Sequence, residues 1–259
     1  MRTITDDGVA LGVRIDGGGQ AESLLLLHSI GCDSAMWDAQ VQALIGRFRV
    51  IRLDARGHGQ SDAPAGEYTL ARLGRDALAA LDGAGAGRAH VCGVSMGGAI
   101  AQWLAVHAPD RVERLILANT AARIGTFESW QARRDTVLGQ GLAAIGEMAM
   151  GRFFSEPFRT GAPDIVARFR GVLEATDPIG YAGCCAALRD ADLTADLGRI
   201  AAPTLVIGGT LDISTPPYQA EALMRGIPGA QLLMLDAAHL SSVEQPAAFT
   251  EAVHRHLES

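Results

Sequence analysis

The 259-residue chain carries 29 acidic and 22 basic residues, a net charge of −7 at neutral pH, and 48% of its residues are hydrophobic. This length suits one large α/β domain, or a core with a small insertion. The acidic balance leaves no basic surface for nucleic acid or for an anionic membrane. We therefore expect a small-molecule partner, no nucleic acid and no membrane, and the sequence leaves the oligomeric state open.

The N-terminal stretch MRTITDDGVALG is polar and acidic, and it lacks the basic start and apolar centre of a secretory signal. The aliphatic run at residues 24–27 is too short to cross a bilayer, as is every later apolar run. These features predict a cytoplasmic protein. Cysteines at positions 32, 92, 184 and 185 have the spacing of neither a disulfide framework nor a zinc site, so we expect reduced thiols packed as small hydrophobic residues.

Apolar runs typical of strands alternate with helical patterns along most of the chain. In chain order the strand candidates are SLLLLH (23–28), FRVIRLD (48–54), AHVCGV (89–94), RLILANT (114–120), PTLVIGG (203–209) and AQLLMLD (230–236). A helical pattern follows each of the first three and each of the last two. This alternation predicts a mainly parallel sheet with helices on both faces.

Strand signals disappear between the fourth and fifth strand candidates. Residues 123–200 contain several helical patterns interrupted by glycine and proline. We expect this segment to form a helical lid over a pocket, inserted into a core of residues 1–122 and 201–259. The stretch GAGAG at 83–87 precedes a strand rather than following one, which argues against a dinucleotide-binding loop.

Ser95 lies between the third strand candidate and the helical pattern that follows it, within the stretch GVSMG. This stretch matches the G-x-S-x-G nucleophile elbow, in which a strained turn exposes the serine oxygen and small neighbours are a steric requirement. The short pattern alone is a moderate signal, and its position between a strand and a helix strengthens it. We predict that Ser95 is a nucleophile.

A serine hydroxyl is a weak nucleophile until a base accepts its proton and an acid orients that base. Asp212 and His239 follow the two last strand candidates, in the chain order that a nucleophile elbow requires. Both positions fall at the carboxyl edge of the predicted sheet, where such sheets hold their sites. Asn119 is no carboxylate, and Asp236 lies so close to His239 that it is better explained as a turn residue. We predict a triad of Ser95, Asp212 and His239.

The oxyanion that forms during attack on a carbonyl needs two preorganised donors. In this geometry they are the backbone N–H after the serine and one from the loop after an earlier strand. Met96 and Ile30 occupy those positions. Ser29 could add its hydroxyl, and the sequence leaves that open.

With these residues in place the chain resembles the α/β-hydrolases, and more narrowly the 3-oxoadipate enol-lactonases of aromatic-compound breakdown (the β-ketoadipate pathway). The resemblance covers nearly the whole chain. It depends most on NTAARIG (119–125) and GYAGCCAALRDADL (180–193), because many hydrolases share the elbow and the histidine loop. One departure is the stretch HSIG at 28–31, where the family pattern has Asn-Ser-Leu-Gly.

The resemblance implies an α/β-hydrolase fold: a mainly parallel eight-stranded sheet, helices on both faces and a helical lid. It also implies that the chain hydrolyses 3-oxoadipate enol-lactone to 3-oxoadipate through an acyl-enzyme on Ser95. No metal and no organic cofactor are expected for this chemistry.

The implied substrate is a small lactone with a carboxylate, which needs a matching donor if it is buried. The start of the predicted lid offers Arg123, Arg133 and Arg134. Arg133 is our candidate, because Trp130 precedes it by about one helical turn and the same face would then carry an aromatic ring and a guanidinium. The W-x-x-R spacing of the family supports this choice.

Other functions remain open at this stage. A general carboxylesterase, a C–C bond hydrolase and a cofactor-free perhydrolase would use the same triad, and only the lid sequences favour the lactonase. A non-catalytic ligand receptor that kept the hydrolase pocket is an alternative of a different class, against which the intact triad argues. Product formation would separate a receptor from an enzyme.

Overall fold

A computed structural model describes residues 1–18 and 21–258. The strands are β1 (Arg2–Ile4), β2 (Ala10–Asp16), β3 (Glu22–Leu27), β4 (Phe48–Leu53), β5 (Ala89–Val94), β6 (Val112–Ala118), β7 (Thr204–Gly209) and β8 (Gln231–Leu235). The helices are α1 (Asp38–Leu44), α2 (Leu70–Gly83), α3 (Met96–His107), α4 (Phe127–Gln140), α5 (Gly146–Phe153), α6 (Glu156–Gly161), α7 (Pro163–Ala175), α8 (Pro178–Asp190), α9 (Pro217–Gly226), α10 (Ser241–Glu244) and α11 (Pro246–Glu258).

One eight-stranded sheet has the order β1-β2-β4-β3-β5-β6-β7-β8. The pairs β1–β2 and β2–β4 are antiparallel, and all other neighbours are parallel. This arrangement confirms the predicted mainly parallel, eight-stranded sheet of an α/β-hydrolase. All six strands placed from the sequence are present, whereas β1 and β2 were not located from their short N-terminal runs.

The centre of the sheet is buried on both faces. Every residue of β5 and β7 is buried, because helices cover the sheet on either side and leave no face for water. Helix α3, which follows β5, is apolar around most of its circumference and almost wholly buried. This rigid centre fixes the point at which β5 ends and α3 begins.

Helices α4 to α8 fill the sequence between β6 and β7, and we call them the inserted helices. Helix α4 begins after Thr126, whose hydroxyl accepts the N–H of Ser129, while the Ser129 hydroxyl accepts the N–H of Thr126. Helix α4 packs along α8. The expected lid of residues 123–200 contains all of these helices.

Two other sequence-based expectations concern the burial of the cysteines and the length of the apolar helices. The four cysteines are all buried and free, as predicted for small hydrophobic residues. In the described part of the chain, no helix has both the length and the apolar character that a bilayer span needs.

Candidate active site

Ser95 occupies a strained turn at the junction of β5 and α3. Its backbone has φ 57° and ψ −115°, a conformation that costs a non-glycine residue about 1–3 kcal/mol. A Cβ added to Gly93 would lie 2.2 Å from the carbonyl oxygen of Gly97, and one added to Gly97 would lie 2.1 Å from that of Leu27. Backbone cannot yield at such distances, so the turn needs glycine on both sides of the serine.

Asp212 and His239 follow β7 and β8 and form a buried pair. The Asp212 Oδ2 atom lies 2.9 Å from Nδ1 of His239, and their residues are 2% and 3% exposed. A carboxylate only accepts hydrogen bonds, so Nδ1 carries the proton and Nε2 is left as the basic nitrogen. This is the tautomer that a general base acting on a serine requires.

Further donors surround the carboxylate of Asp212. The N–H groups of Ser214 and Thr215 donate to Oδ1, and the Thr215 hydroxyl and the Asn119 amide donate to Oδ2. Burial alone would raise the pKa of Asp212, but the charge and hydrogen bond of His239 and the bonds from Thr215 lower it to about 2. Asp212 therefore stays ionised beside the histidine at neutral pH.

Asn119 is a supporting residue whose role sequence reasoning missed. The residue was considered only as a rival acid, whereas its amide nitrogen lies 3.1 Å from Asp212 Oδ2 and 3.1 Å from the carbonyl oxygen of Ala238. It also has a left-handed backbone, with φ 44°. Its position directly after β6, at the carboxyl edge of the sheet, was the available signal.

The expected oxyanion donors lie at the start of α3, which carries Met96, and in the loop after β3, which carries Ile30. The N–H of Gly97 donates to the carbonyl of His28, which ties the start of α3 to the loop after β3. Within residues 1–18 and 21–258, no acceptor takes the N–H of Ile30 or of Met96. Met96 is also the first residue of α3, where the helix dipole favours negative charge.

Two buried histidines hold the loop that carries Ile30. The Nε2 atom of His28 accepts the N–H of Ala55, and the Nε2 atom of His58 accepts the N–H of Gly31 at 3.0 Å. Burial, together with the neighbouring His28, lowers the pKa of His58 to about 3. His28 and His58 are therefore part of the backbone scaffold; the motifs HSIG and RGHG were the signals in the sequence.

A pocket lies between the carboxyl edge of the sheet and the inserted helices. Its core side includes Ser95, Ile30 and His239. Trp130 and Arg133 of α4 line the opposite side. The pocket thus brings together most of the residues singled out in the sequence. Met96 and Asp212 do not line it, but Met96 follows Ser95 in the chain and Asp212 is hydrogen-bonded to His239.

Trp130 and Arg133 form one unit on α4. The Arg133 guanidinium lies 4.7 Å from the centre of the Trp130 ring, a cation–π distance. The Trp130 indole N–H donates to the carbonyl of Ile124, so the ring is fixed as an aromatic wall and its donor is used. Arg133 donates a weak bond to the Met148 sulfur and hydrogen-bonds the Tyr181 hydroxyl, and no carboxylate within residues 1–18 and 21–258 pairs with it.

The two rival arginines are held elsewhere. Arg123 pairs with Asp192 on the surface, and Arg134 pairs with Glu67 and with its neighbour Asp135. The rival acid Asp236 accepts a hydrogen bond from Thr210 and lies away from the buried pair; its residue is exposed.

Three further pocket residues were not foreseen. Phe153 on α5 stacks on the His239 ring, with centroids 6.3 Å apart. Arg152, beside it, and Tyr181 on α8 also line the pocket. No local pattern singled them out, because their position depends on how the inserted helices pack together.

Comparisons with known proteins agree with this geometry. A family model described as alpha/beta hydrolase fold matches residues 22–246. The chain is 41% identical to 3-oxoadipate enol-lactonase 2 of Acinetobacter baylyi, over 97% of this chain and 94% of that protein.

Two solved structures are similar throughout. The crystal structure of the enol-lactonase from Burkholderia xenovorans LB400 has a TM-score of 0.98, with 40% identity and full coverage of both chains. That of a hydrolase from Pseudomonas aeruginosa PA01 has a TM-score of 0.97 and 46% identity, covering 100% of this chain and 98% of that one. With its elbow, its sheet and these relatives, the chain belongs to the alpha/beta hydrolase fold family.

Proposed function

We propose that the protein hydrolyses 3-oxoadipate enol-lactone to 3-oxoadipate, as a carboxylic ester hydrolase of aromatic-compound catabolism. One observation carries the proposal: the pocket that holds Ser95 and His239 also holds Arg133, a half-buried guanidinium that pairs with no carboxylate in the described part of the chain. A serine nucleophile opposite such a cation suits an ester that carries its own negative charge. The similarity to proteins named 3-oxoadipate enol-lactonase supports the same substrate.

Acylation starts when His239 Nε2 takes the proton of the Ser95 hydroxyl and the oxygen attacks the lactone carbonyl. The N–H groups of Ile30 and Met96 would hold the resulting oxyanion, and each such donor contributes about 10²–10³ in kcat. Collapse breaks the ring C–O bond and expels an enolate, which is a better leaving group than an alkoxide. The enolate stays attached to the acyl group and takes the proton from the His239 imidazolium, which gives the ketone and leaves His239 neutral for deacylation.

Deacylation repeats the same steps with water. His239 takes a proton from the water, the hydroxide attacks the acyl-enzyme, and the proton passes to the Ser95 oxygen as the carboxylic acid leaves. Asp212 keeps the proton of His239 on Nδ1 and stabilises the imidazolium in both halves of the reaction. The ketone form of the product opposes closure of the ring.

The division into domains follows from this mechanism. We take residues 123–200 as the lid and residues 1–122 and 201–259 as the catalytic core. On this division the lid supplies Trp130 and Arg133 for the substrate, and the core supplies the triad and the oxyanion donors.

A spectrophotometric assay for loss of the enol-lactone tests the proposal, run beside a panel of neutral aryl esters, vinylogous diketones and a perhydrolysis assay. We expect the lactone to have the highest kcat/KM, and Ser95→Ala to lower that value by roughly 10⁴-fold or more. The alanine variant should stay folded, because the Ser95 side chain makes no hydrogen bond in the described structure.

Other outcomes would replace the proposal. Ser95-dependent hydrolysis of aryl esters without lactone turnover would indicate a general carboxylesterase. Cleavage of the diketones or peroxide-dependent activity would indicate the C–C bond hydrolase or the perhydrolase. Tight binding of the lactone without product formation would indicate a receptor.

A further inference from the structure

Arg152 on α5 is a second guanidinium at the pocket wall, and nothing in the sequence singled it out. The residue is half-buried, and no carboxylate pairs with it within residues 1–18 and 21–258. Most other arginines of the inserted helices and their flanks differ in this respect. Carboxylates pair with Arg123, Arg134, Arg159, Arg170, Arg189 and Arg199.

Arg168 also pairs with no carboxylate among the described residues, but it is exposed, with its guanidinium over the Phe169 ring. Water therefore solvates its charge. Arg133 and Arg152 are different, because both are half-buried and line the same pocket. Partly desolvated cations without counterions are costly unless a ligand supplies the missing charge.

The two charges are close enough to act on each other. Burial lowers the pKa of Arg152, and the like charge of Arg133 lowers it further, while Asp212 acts in the opposite direction. Arg152 directly precedes Phe153, whose ring stacks on His239, so α5 brings the guanidinium to the triad side of the pocket. Arg133 enters from α4, beside Trp130.

We propose that Arg152 is a specificity-determining residue that binds the carboxylate of the substrate together with Arg133, as a clamp of two guanidiniums from neighbouring helices. This deepens the proposed function and rests on it for the identity of the natural substrate. A single carboxylate between the two cations relieves their repulsion and accepts charge-assisted hydrogen bonds from both. Two arginines that pair with no carboxylate among the described residues then bind one negative charge, and the pocket selects anionic esters over neutral ones.

Two chromogenic esters with equal six-carbon acyl chains test the clamp without the lactone. One is the 4-nitrophenyl monoester of adipate, whose chain ends in a carboxylate, and the other is 4-nitrophenyl hexanoate, whose chain ends in a methyl group. The measured quantity is the ratio of their kcat/KM values. We expect Arg152→Ala and Arg133→Ala each to lower this ratio by roughly tenfold or more, mainly through KM for the charged ester.

The double variant and conservative variants separate a shared carboxylate from two independent contacts. If both arginines hold one group, the double variant should lose less than the product of the single losses, and Arg152→Lys should recover part of the ratio. Arg168→Ala is the matched control, since it removes an arginine of the same region that does not face the pocket, and it should leave the ratio unchanged.

Two results would overturn the clamp. An unchanged ratio in folded Arg152→Ala, shown by a normal circular dichroism spectrum and melting temperature, would remove Arg152 from substrate binding. The second result concerns competitive inhibition by adipate and by hexanoate. If adipate inhibits more strongly, and Arg152→Ala removes this difference while Arg133→Ala keeps it, Arg152 binds a second negative group instead. The kcat/KM ratio and the inhibition experiment both use aryl esters as substrates. The clamp can therefore be tested even if the protein does not hydrolyse the enol-lactone.

Discussion

Asp212 accepts more hydrogen bonds than orienting a histidine requires. Oδ2 alone receives donors from His239, Thr215 and Asn119, and none of these donors is near it in the sequence except Thr215. Each bond stabilises the ionised carboxylate in a buried place, which explains its lowered pKa. The negative charge of Asp212 is therefore stabilised by the surrounding structure as well as by His239.

Replacement of this carboxylate by an amide tests its role at the residue scale. We expect Asp212→Asn to lower kcat by roughly 10⁴-fold, because an amide neither fixes the Nδ1–H tautomer nor stabilises the imidazolium. Steady-state kinetics on the lactone and on an aryl ester are the measurement. Asp236→Asn is the matched control and should change kcat little, since Asp236 is exposed and bonds Thr210. A loss for Asp236→Asn as large as for Asp212→Asn would contradict the assignment.

Helix α8 rests on the core through direct contact of two backbones. Gly180 of α8 packs against Gly57, in the loop after β4, and a Cβ added to Gly180 would lie 2.2 Å from the Gly57 Cα. Gly57 also has φ +79°, which side chains rarely adopt. The close approach of α8 to the core at this point therefore requires two residues without side chains. It places Tyr181, the residue after Gly180, at the pocket.

At the scale of this element, we expect Gly180→Ala to lower the free energy of unfolding by about 1–3 kcal/mol, because the overlap with backbone outweighs the better helix propensity of alanine. Gly171→Ala in α7 is the matched control. Apart from its chain neighbours and its own helix backbone, no atom of the described residues lies within 4 Å of a Cβ added there, so only the propensity acts and the change should stabilise by about 0.5–1 kcal/mol. Urea unfolding measures both, and equal effects of the two variants would argue against the close contact.

At the scale of the whole molecule, buried neutral histidines make the free energy of unfolding depend on pH. His58 accepts a backbone N–H through Nε2 and cannot do so when protonated, which agrees with its pKa of about 3 in the folded chain against 6.5 in the unfolded chain. Between these values the unfolded chain binds one more proton at His58 than the folded chain. Stability from this residue is therefore complete above about pH 6.5 and is lost as the pH falls toward 3.

This linkage predicts a slope of the unfolding free energy against pH. One buried neutral histidine contributes about 1.4 kcal/mol per pH unit between about pH 4.5 and pH 6, so His58→Gln should reduce the slope by that amount. Asp212 does not interfere, since its stabilising effect is lost only below the unfolded carboxylate pKa of 3.8. Urea unfolding at several pH values is the measurement.

The exposed His107 provides the comparison for the pH experiment. Its ring stacks on Trp103 at the surface, so His107→Gln removes an imidazole that is not buried. We expect the slope of this variant to match that of the unchanged protein. An equal slope in His58→Gln would show that His58 is protonated in the folded chain near pH 5.

The sequence by itself determined the six main strands, their alternation with helices and the candidate nucleophile, acid and base. These features are local: hydrophobic periodicity reports burial within a few residues, and the elbow requires glycine beside Ser95. Chain order and the ends of strands then placed Asp212 and His239 at one edge of the sheet.

Only the tertiary structure decided which side chains meet. Asn119 and Asp212 are 93 positions apart, and Gly31 and His58 are 27 apart, so no local pattern predicts their hydrogen bonds. The same is true of Arg152, because its neighbours at the pocket come from other inserted helices and from the core. A hydrophobic pattern shows that one face of a helix is buried, but it does not identify the element against which that face packs. The charged side chains that reach a substrate depend on that packing.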